Sequence, residues 1–102
     1  MAQVEKKPAP ALFAPGQILL SPGVIQNVPR LDLLDALIRH VEGDWGDCCD
    51  ADIKANEDAV KNGGRIISVY MDEGAGRFWI ITEAVDDDGK RPFTTVLLPS
   101  EY

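Results

Sequence analysis

Three kinds of residue are scarce in this chain, and each scarcity closes a route. Cysteine occurs twice, as the adjacent pair Cys48 and Cys49. A neighbouring pair does not make the disulfide framework of a small secreted domain, so a reducing cytoplasm is the expected home. Histidine occurs once, as His40. A tetrahedral metal site wants separated Cys and His ligands, and none is expected here. Lysine and arginine number 10 against 17 aspartates and glutamates, a net charge of −7. A phosphate backbone is bound by clustered cations, so direct contact with nucleic acid is not expected and a protein partner is. No run approaches the roughly 20 apolar residues of a membrane span, so no membrane attachment is expected. The opening MAQVEKKPAPALFAPG has two lysines but no continuous apolar segment, and is not read as a signal peptide.

Chemistry-bearing motifs are equally sparse. No glycine-rich phosphate loop, no G-x-S-x-G elbow and no H-E-x-x-H is present. The segment Gly74-Ala75-Gly76 lacks a strand-to-helix setting. A calcium loop needs acids at its first, third and fifth positions, Gly at the sixth and Glu at the twelfth. With Gly89 at the centre, Ala84 falls first and Thr95 last; with Asp50 first, Lys54 and Ala55 fall at the fifth and sixth. Neither frame works. No cofactor is expected. A Cys–His nucleophile built from His40 and Cys48 is weak, because Asp47 and Asp50 raise a neighbouring thiol's pKa. His40 lies near a helix end, where a cation meets the negative pole of the helix dipole.

The chain that remains is patterned and globular, 102 residues with 45% apolar content, enough for one domain. Residues 1–15, with Pro8, Pro10 and Pro15, read as a flexible arm, and residues 16–102 as a single α+β domain. Gln17 to Leu20 is a short apolar run suited to an edge strand. Ser21-Pro22 is a helix-start signal, but Pro29 limits that helix to one or two turns. From Pro29, Leu34, Leu37, Ile38 and Val41 recur at helical spacing and, with Leu31 and Leu33 beside them, are the expected buried face, with Gly43 as the stop. A second helix is expected from Cys48 to Asn62, with Asp47 as N-cap, Asp50 in the capping-box position and Cys49, Ile53 and Val60 facing inward, Ala55 and Ala59 alongside. Strands are expected at 65–71, 77–83 and 93–98, joined by short turns. The expected fold is a three- to four-stranded antiparallel meander on two helices.

The densest cluster, Gly43 to Asp52, reads as a helix–loop–helix corner held by Asp44, Trp45 and Asp47. On the second long strand, Trp79, Ile81 and Glu83 share one face and Phe78, Ile80 and Thr82 the other. Only one face can pack on the helices. The other is left for solvent, the arm, a homodimer or a different partner. Arg65, Ser68, Tyr70, Trp79 and Glu83 are therefore the candidate interaction or ligand residues. If Trp79 or Glu83 lies beside Ser68 and Tyr70, the polar–aromatic cluster suits a small anion or nucleotide, and the alternative expectation is a small-ligand binding protein or small enzyme.

Several separated motifs occur in order: PGQILLSPG, Arg39-His40, GDWGD, then Asp52, Asn56, Ala59, Gly63, Arg65, Ser68 and Tyr70, then WIITEA and TTVLLPSEY. Together they resemble a family of small bacterial proteins often encoded on plasmids, phages or other mobile elements. No activity is established for that family, some of whose members carry the label of a type I restriction modification subunit. Charge, size and the genomic company of that family together lead to the expectation of a bacterial, non-catalytic protein-interaction module, with an acidic modulator or inhibitor of a host or defence complex as its sharper form. The chain departs from the family's pattern across Glu83 to Thr94, where the hairpin is longer and Arg91 stands in an altered setting.

Overall fold

The computed structural model describes residues 10–102. Its fold is α+β, in the order β1 (Gln17–Leu20), α1 (Pro22–Asn27), α2 (Arg30–Val41), α3 (Asp50–Asn62), β2 (Ile66–Asp72), β3 (Gly76–Thr82) and β4 (Phe93–Leu97), then a 3₁₀ turn, Pro99–Glu101. The sheet order is β1-β4-β3-β2. The strands β2, β3 and β4 form the expected antiparallel meander, with Val69 opposite Trp79 and Ile80 opposite Val96. The fourth strand departs from expectation. It lies parallel to β4, pairing Ile18 with Thr94 and Leu20 with Val96. All three helices and two strands separate β1 from β4, so no hairpin dictates its direction.

Local chemistry sets the element ends. Ser21 caps α1, its Oγ accepting the Val24 N–H at 3.2 Å, and Pro22 opens the helix where no donor is needed. The helix α3 starts later than expected. Its N-cap is Cys49, with no side-chain cap bond, so Asp47 is not the cap. Asp47 is instead carried onto the β2 edge, where its N–H donates to the Val69 carbonyl at 2.7 Å. Asp50 and Asp52 do occupy the first turn of α3, near its positive end.

The buried face of α2 also differs. Leu33, Ala36 and His40 point into the core with Leu37 beside them, while Leu34 and Ile38 are exposed, as is Leu31 at 78%. The buried set has the same helical spacing as the expected one, shifted by one residue. The helix carries two candidate stripes, and the one containing His40 packs inward because His40 finds hydrogen-bond partners there. In α3 the expected Ile53, Ala59 and Val60 pack inward, but Asn56 is buried among them and Cys49 is exposed.

The helices cover one sheet face. Val24, Val28, Leu33 and Ala36 pack on Tyr70, Phe78, Ile80 and Val96, and Trp45 and Ala59 pack on Ile66. Of the arm expected over residues 1–15, residues 1–9 lie outside the described residues. Residues 12–15 are held on the domain: the Leu12 N–H donates to Val41, Phe13 packs beside Trp45, and the Pro15 carbonyl accepts from Thr94.

Gly46 makes the corner possible. Its φ is +73°, and a Cβ there would fall 1.9 Å from the Val69 carbonyl oxygen. Gly89 has nearly the same φ, +75°, in open space. Gly46→Ala should therefore lose at least about 2 kcal/mol in urea unfolding, whereas Gly89→Ala should lose about 1 kcal/mol. Equal losses would show that the close approach to Val69 is immaterial.

Candidate functional site

The five candidate residues divide between two faces of the sheet. Ser68 and Tyr70 are buried beneath the helices. Trp79 lies on the opposite face, in register with Val69. Arg65 and Glu83 flank that outer face and pair at 3.5 Å. The polar–aromatic cluster that would have held a small anion or nucleotide is thus not assembled: the pleat puts Ser68 and Tyr70 on one side, Trp79 and Glu83 on the other.

Ser68 belongs to a buried chain of hydrogen bonds centred on His40. His40 Nδ1 lies 2.6 Å from Ser68 Oγ, and Nε2 lies 2.8 Å from Thr82 Oγ1. Thr82 Oγ1 is 2.7 Å from Thr94 Oγ1, and the Thr94 hydroxyl donates to the Pro15 carbonyl at 2.7 Å. The far end orients every proton. A carbonyl only accepts, so Thr94 gives its proton to Pro15 and must accept from Thr82. Thr82 must then accept from Nε2–H, and because burial keeps the ring neutral, Nδ1 accepts from Ser68. His40 is neutral in this arrangement. Burial, with the Arg91 charge nearby, lowers its pKa from 6.5 to about 4. The expected role of His40 as a cation at the helix end is overturned: water does not reach the ring. Phe13 closes over it edge-on, with ring centres 5.2 Å apart.

The cysteines stand apart from this chain. The Cys48 thiol donates to the Trp45 carbonyl at 3.2 Å, and burial pushes its pKa up. His40 uses both nitrogens on other partners, so no Cys–His pair forms. Among the described residues, no group of three or more His, Cys, Asp or Glu is placed to hold a metal ion. The Asp86–Gly89 turn is tied by its own backbone, Asp86 Oδ1 accepting from Asp88 and Lys90.

The corner residues act structurally. Trp45 is buried against both Phe13 and His40, the three rings in mutual contact. Asp44 pairs with Arg39 at 2.8 Å, which holds its carboxyl below the usual range, and its carbonyl accepts the Tyr70 hydroxyl at 2.5 Å. Asp47 pairs with Arg77 at 2.9 Å on the surface. Two further ties were not anticipated. Asn56 imitates a neighbouring strand, donating to the Ile67 carbonyl at 2.7 Å and accepting the Ile67 N–H at 3.1 Å. Arg91 turns inward and donates to the carbonyls of Gly64, Glu83 and Ala59 at 2.6, 3.0 and 3.0 Å. A polar residue on the apolar stripe of α3 was the only sign of the first; nothing local marks the second.

With the helix side of the sheet filled, its outer face is the part of the sheet left for contact. By alternation it carries Ile67, Val69 and Met71 of β2, Trp79 and Ile81 of β3, and Thr95 and Leu97 of β4, of which Ile81 and Leu97 are themselves buried and Ile67, Val69, Trp79 and Thr95 half-buried. The apolar clusters beneath the helices draw only on the other face. Tyr102 reaches one end, its ring 5.2 Å from Trp79 and its hydroxyl 3.1 Å from Arg65. Met71 is 66% exposed. Compared with known family models, characterised proteins and solved structures, the chain matches none. Among the described residues, no helix is long and apolar enough to cross a membrane.

The His40 shift gives a pH signature. The unfolded histidine binds a proton near pH 6.5, whereas the folded one binds it only near pH 4. Its contribution is complete above pH 6.5 and is lost as pH falls toward 4, on the order of 3 kcal/mol in all. Urea unfolding should show stability falling from pH 6.5 to 5, above the range where the lowered carboxyls of Asp44 and Glu101 titrate. His40→Gln should be less stable at pH 7 and flat across that interval. An equally steep wild-type and variant profile would remove His40 as the cause.

Proposed function

We propose that the chain is a non-catalytic protein-interaction module of a mobile genetic element, working as an acidic modulator or inhibitor of a host or defence complex, and that its partner docks on the outer sheet face. The observation that carries this reading is Trp79, set in an apolar field of Ile67, Val69 and Met71 that no helix covers among the described residues. A partly exposed aromatic surrounded by aliphatic side chains is the composition of an interface centre. The ion pairs Arg65–Glu83 and Arg77–Asp47 border it, as a polar rim borders such a centre. The net charge of −7 favours a basic partner surface. The resemblance to plasmid- and phage-borne proteins supplies the mobile-element and defence part of the proposal.

Affinity purification from a bacterial lysate, followed by mass spectrometry, tests it. The full chain should recover a specific protein, and Trp79→Ala should weaken that complex about thirtyfold in direct titration while leaving the circular dichroism spectrum unchanged. Recovery of no protein, or of one that Trp79→Ala binds equally well, would end this reading.

A further inference from the structure

The two edges of the sheet are treated differently. The β2 edge is closed along Ile67 and Val69. Gly46 bridges to Val69, the N–H of Asp47 and the carbonyl of Trp45 take up Val69's backbone groups, and the Asn56 amide takes up those of Ile67. The β1 edge is open among the described residues. The N–H of Gln17 donates to Pro92 at 3.2 Å and that of Ser21 to Val96 at 2.9 Å. Backbone direction alternates along a strand, so Gln17, Leu19 and Ser21 face β4. The N–H and C=O groups of Ile18 and Leu20 then point away from the sheet. The side chains of Ile18, Leu19 and Leu20 are all exposed, and Ile25 of α1, 64% exposed, borders the same edge in a groove shared with Leu20.

Natural edge strands are usually guarded by lysine, proline, a bulge or a cover. Gln17-Ile18-Leu19-Leu20 has none of these among the described residues. In a chain with 26% charged residues, no residue from Pro8 to Pro29 is charged. The nearest carboxylate, Glu101, is committed: it accepts the Ser21 hydroxyl and the N–H groups of Gly23 and Leu98 at 2.5, 2.9 and 2.9 Å.

We propose that β1 pairs antiparallel with β1 of a second copy, across a two-fold axis at Leu19, and so joins two sheets into one. The register is set by the geometry. The outward groups of Ile18 meet those of Leu20 in the second copy, and the reverse, each pair exchanging both N–H···O bonds. Leu19 then faces its own counterpart on the outer side as a closely spaced non-hydrogen-bonded pair. Ile18 and Leu20 meet their counterparts on the helix side, next to Ile25. The occupant is a second copy because the strand is self-complementary about that axis, as an isologous contact requires. Charge agrees. Two chains of net −7 repel, and this uncharged edge is where they can meet without opposing free carboxylates. A basic partner finds no free carboxylate to pair with here. The pairing goes beyond the docking reading, since it uses the edge and not the face of the sheet.

Sedimentation equilibrium of the full chain from about 1 to about 200 µM should show a concentration-dependent dimer. Ile18→Lys places a guard charge on the edge, and Ile18→Pro removes only an outward N–H. Each should raise the dimer dissociation constant at least tenfold with an unchanged circular dichroism spectrum, whereas Leu31→Lys on the exposed side of α2 should not. Leu19→Cys in a Cys48→Ser, Cys49→Ser background checks the register independently, and mild oxidation should cross-link it to its counterpart. A wild-type chain that stays monomeric throughout, a dimer indifferent to both Ile18 substitutions, or a Leu19→Cys chain that fails to cross-link would overturn the proposal.

Discussion

The architecture depends on burying one imidazole with both of its nitrogens satisfied. His40 stands on α2, Ser68 on β2, Thr82 on β3 and Thr94 on β4, and Pro15 lies in the segment leading into β1. One chain of hydrogen bonds therefore touches each long strand, the helix above them and the entering segment. Its protons run in a single direction from Ser68 to the Pro15 carbonyl. Such a network is costly when half satisfied and specifying when complete. Leaving one buried partner unpaired costs about 1–3 kcal/mol, so a shift of α2 by one residue would be penalised several times over. Apolar packing alone would not choose, because Leu34 and Ile38 offer a stripe as hydrophobic as that of Leu33 and Leu37.

The same logic extends to the margins of the domain. Asn56 ends the sheet at β2 by offering a side-chain amide where another strand would pair. Arg91 gathers the carbonyl of Ala59 in the last turn of α3 with those of Gly64 and Glu83, and its guanidinium lies 5.4 Å from the Phe13 ring centre. Its charge meets carbonyl dipoles and an aromatic face, and the carbonyls sit where the helix dipole is negative. These polar side chains join elements that pattern alone would leave loosely oriented. They are also spent in doing so. A group that has both hydrogen-bonding atoms engaged and no route to solvent, as His40 has, is not available to a ligand. That is why the functional reading moves from the reactive-looking side chains to the surface they leave exposed.

How much of this was legible in the sequence depended on range. Features set within a few residues were readable: the Ser21-Pro22 start of α1, the glycine stops at Gly43 and Gly63, the three meander strands to within a residue, and the opposite orientation of Phe78 and Trp79. Features set by distant contacts were not. The parallel direction of β1 depends on a partner more than seventy positions away. The inward face of α2 depends on Ser68 and Thr82. The N-cap of α3 moved from Asp47 to Cys49 because β2 competes for the Asp47 backbone. The cluster around Ser68, Tyr70, Trp79 and Glu83 failed for a simpler reason: strand parity, which correctly separated Phe78 from Trp79, also separates Ser68 and Tyr70 from Trp79 once Val69 is known to oppose it.

Charge placement bears directly on which surfaces can adhere. An acidic chain that repels its own kind needs its adhesive surfaces where carboxylates are absent or paired. Around Trp79 they are paired, as Arg65–Glu83 and Arg77–Asp47; along β1 there are none. Other carboxylates gather elsewhere, at Asp86–Asp88 and on the polar face of α3. A surface divided in this way can remain soluble and still be selective, because the like-charge regions reject approach from most directions. Among the described residues, the sheet exposes both a carboxylate-free edge and a face bordered by the ion pairs Arg65–Glu83 and Arg77–Asp47. Joining two copies along that edge would extend the apolar face on the same side, so the edge and the face are compatible as parts of one binding surface.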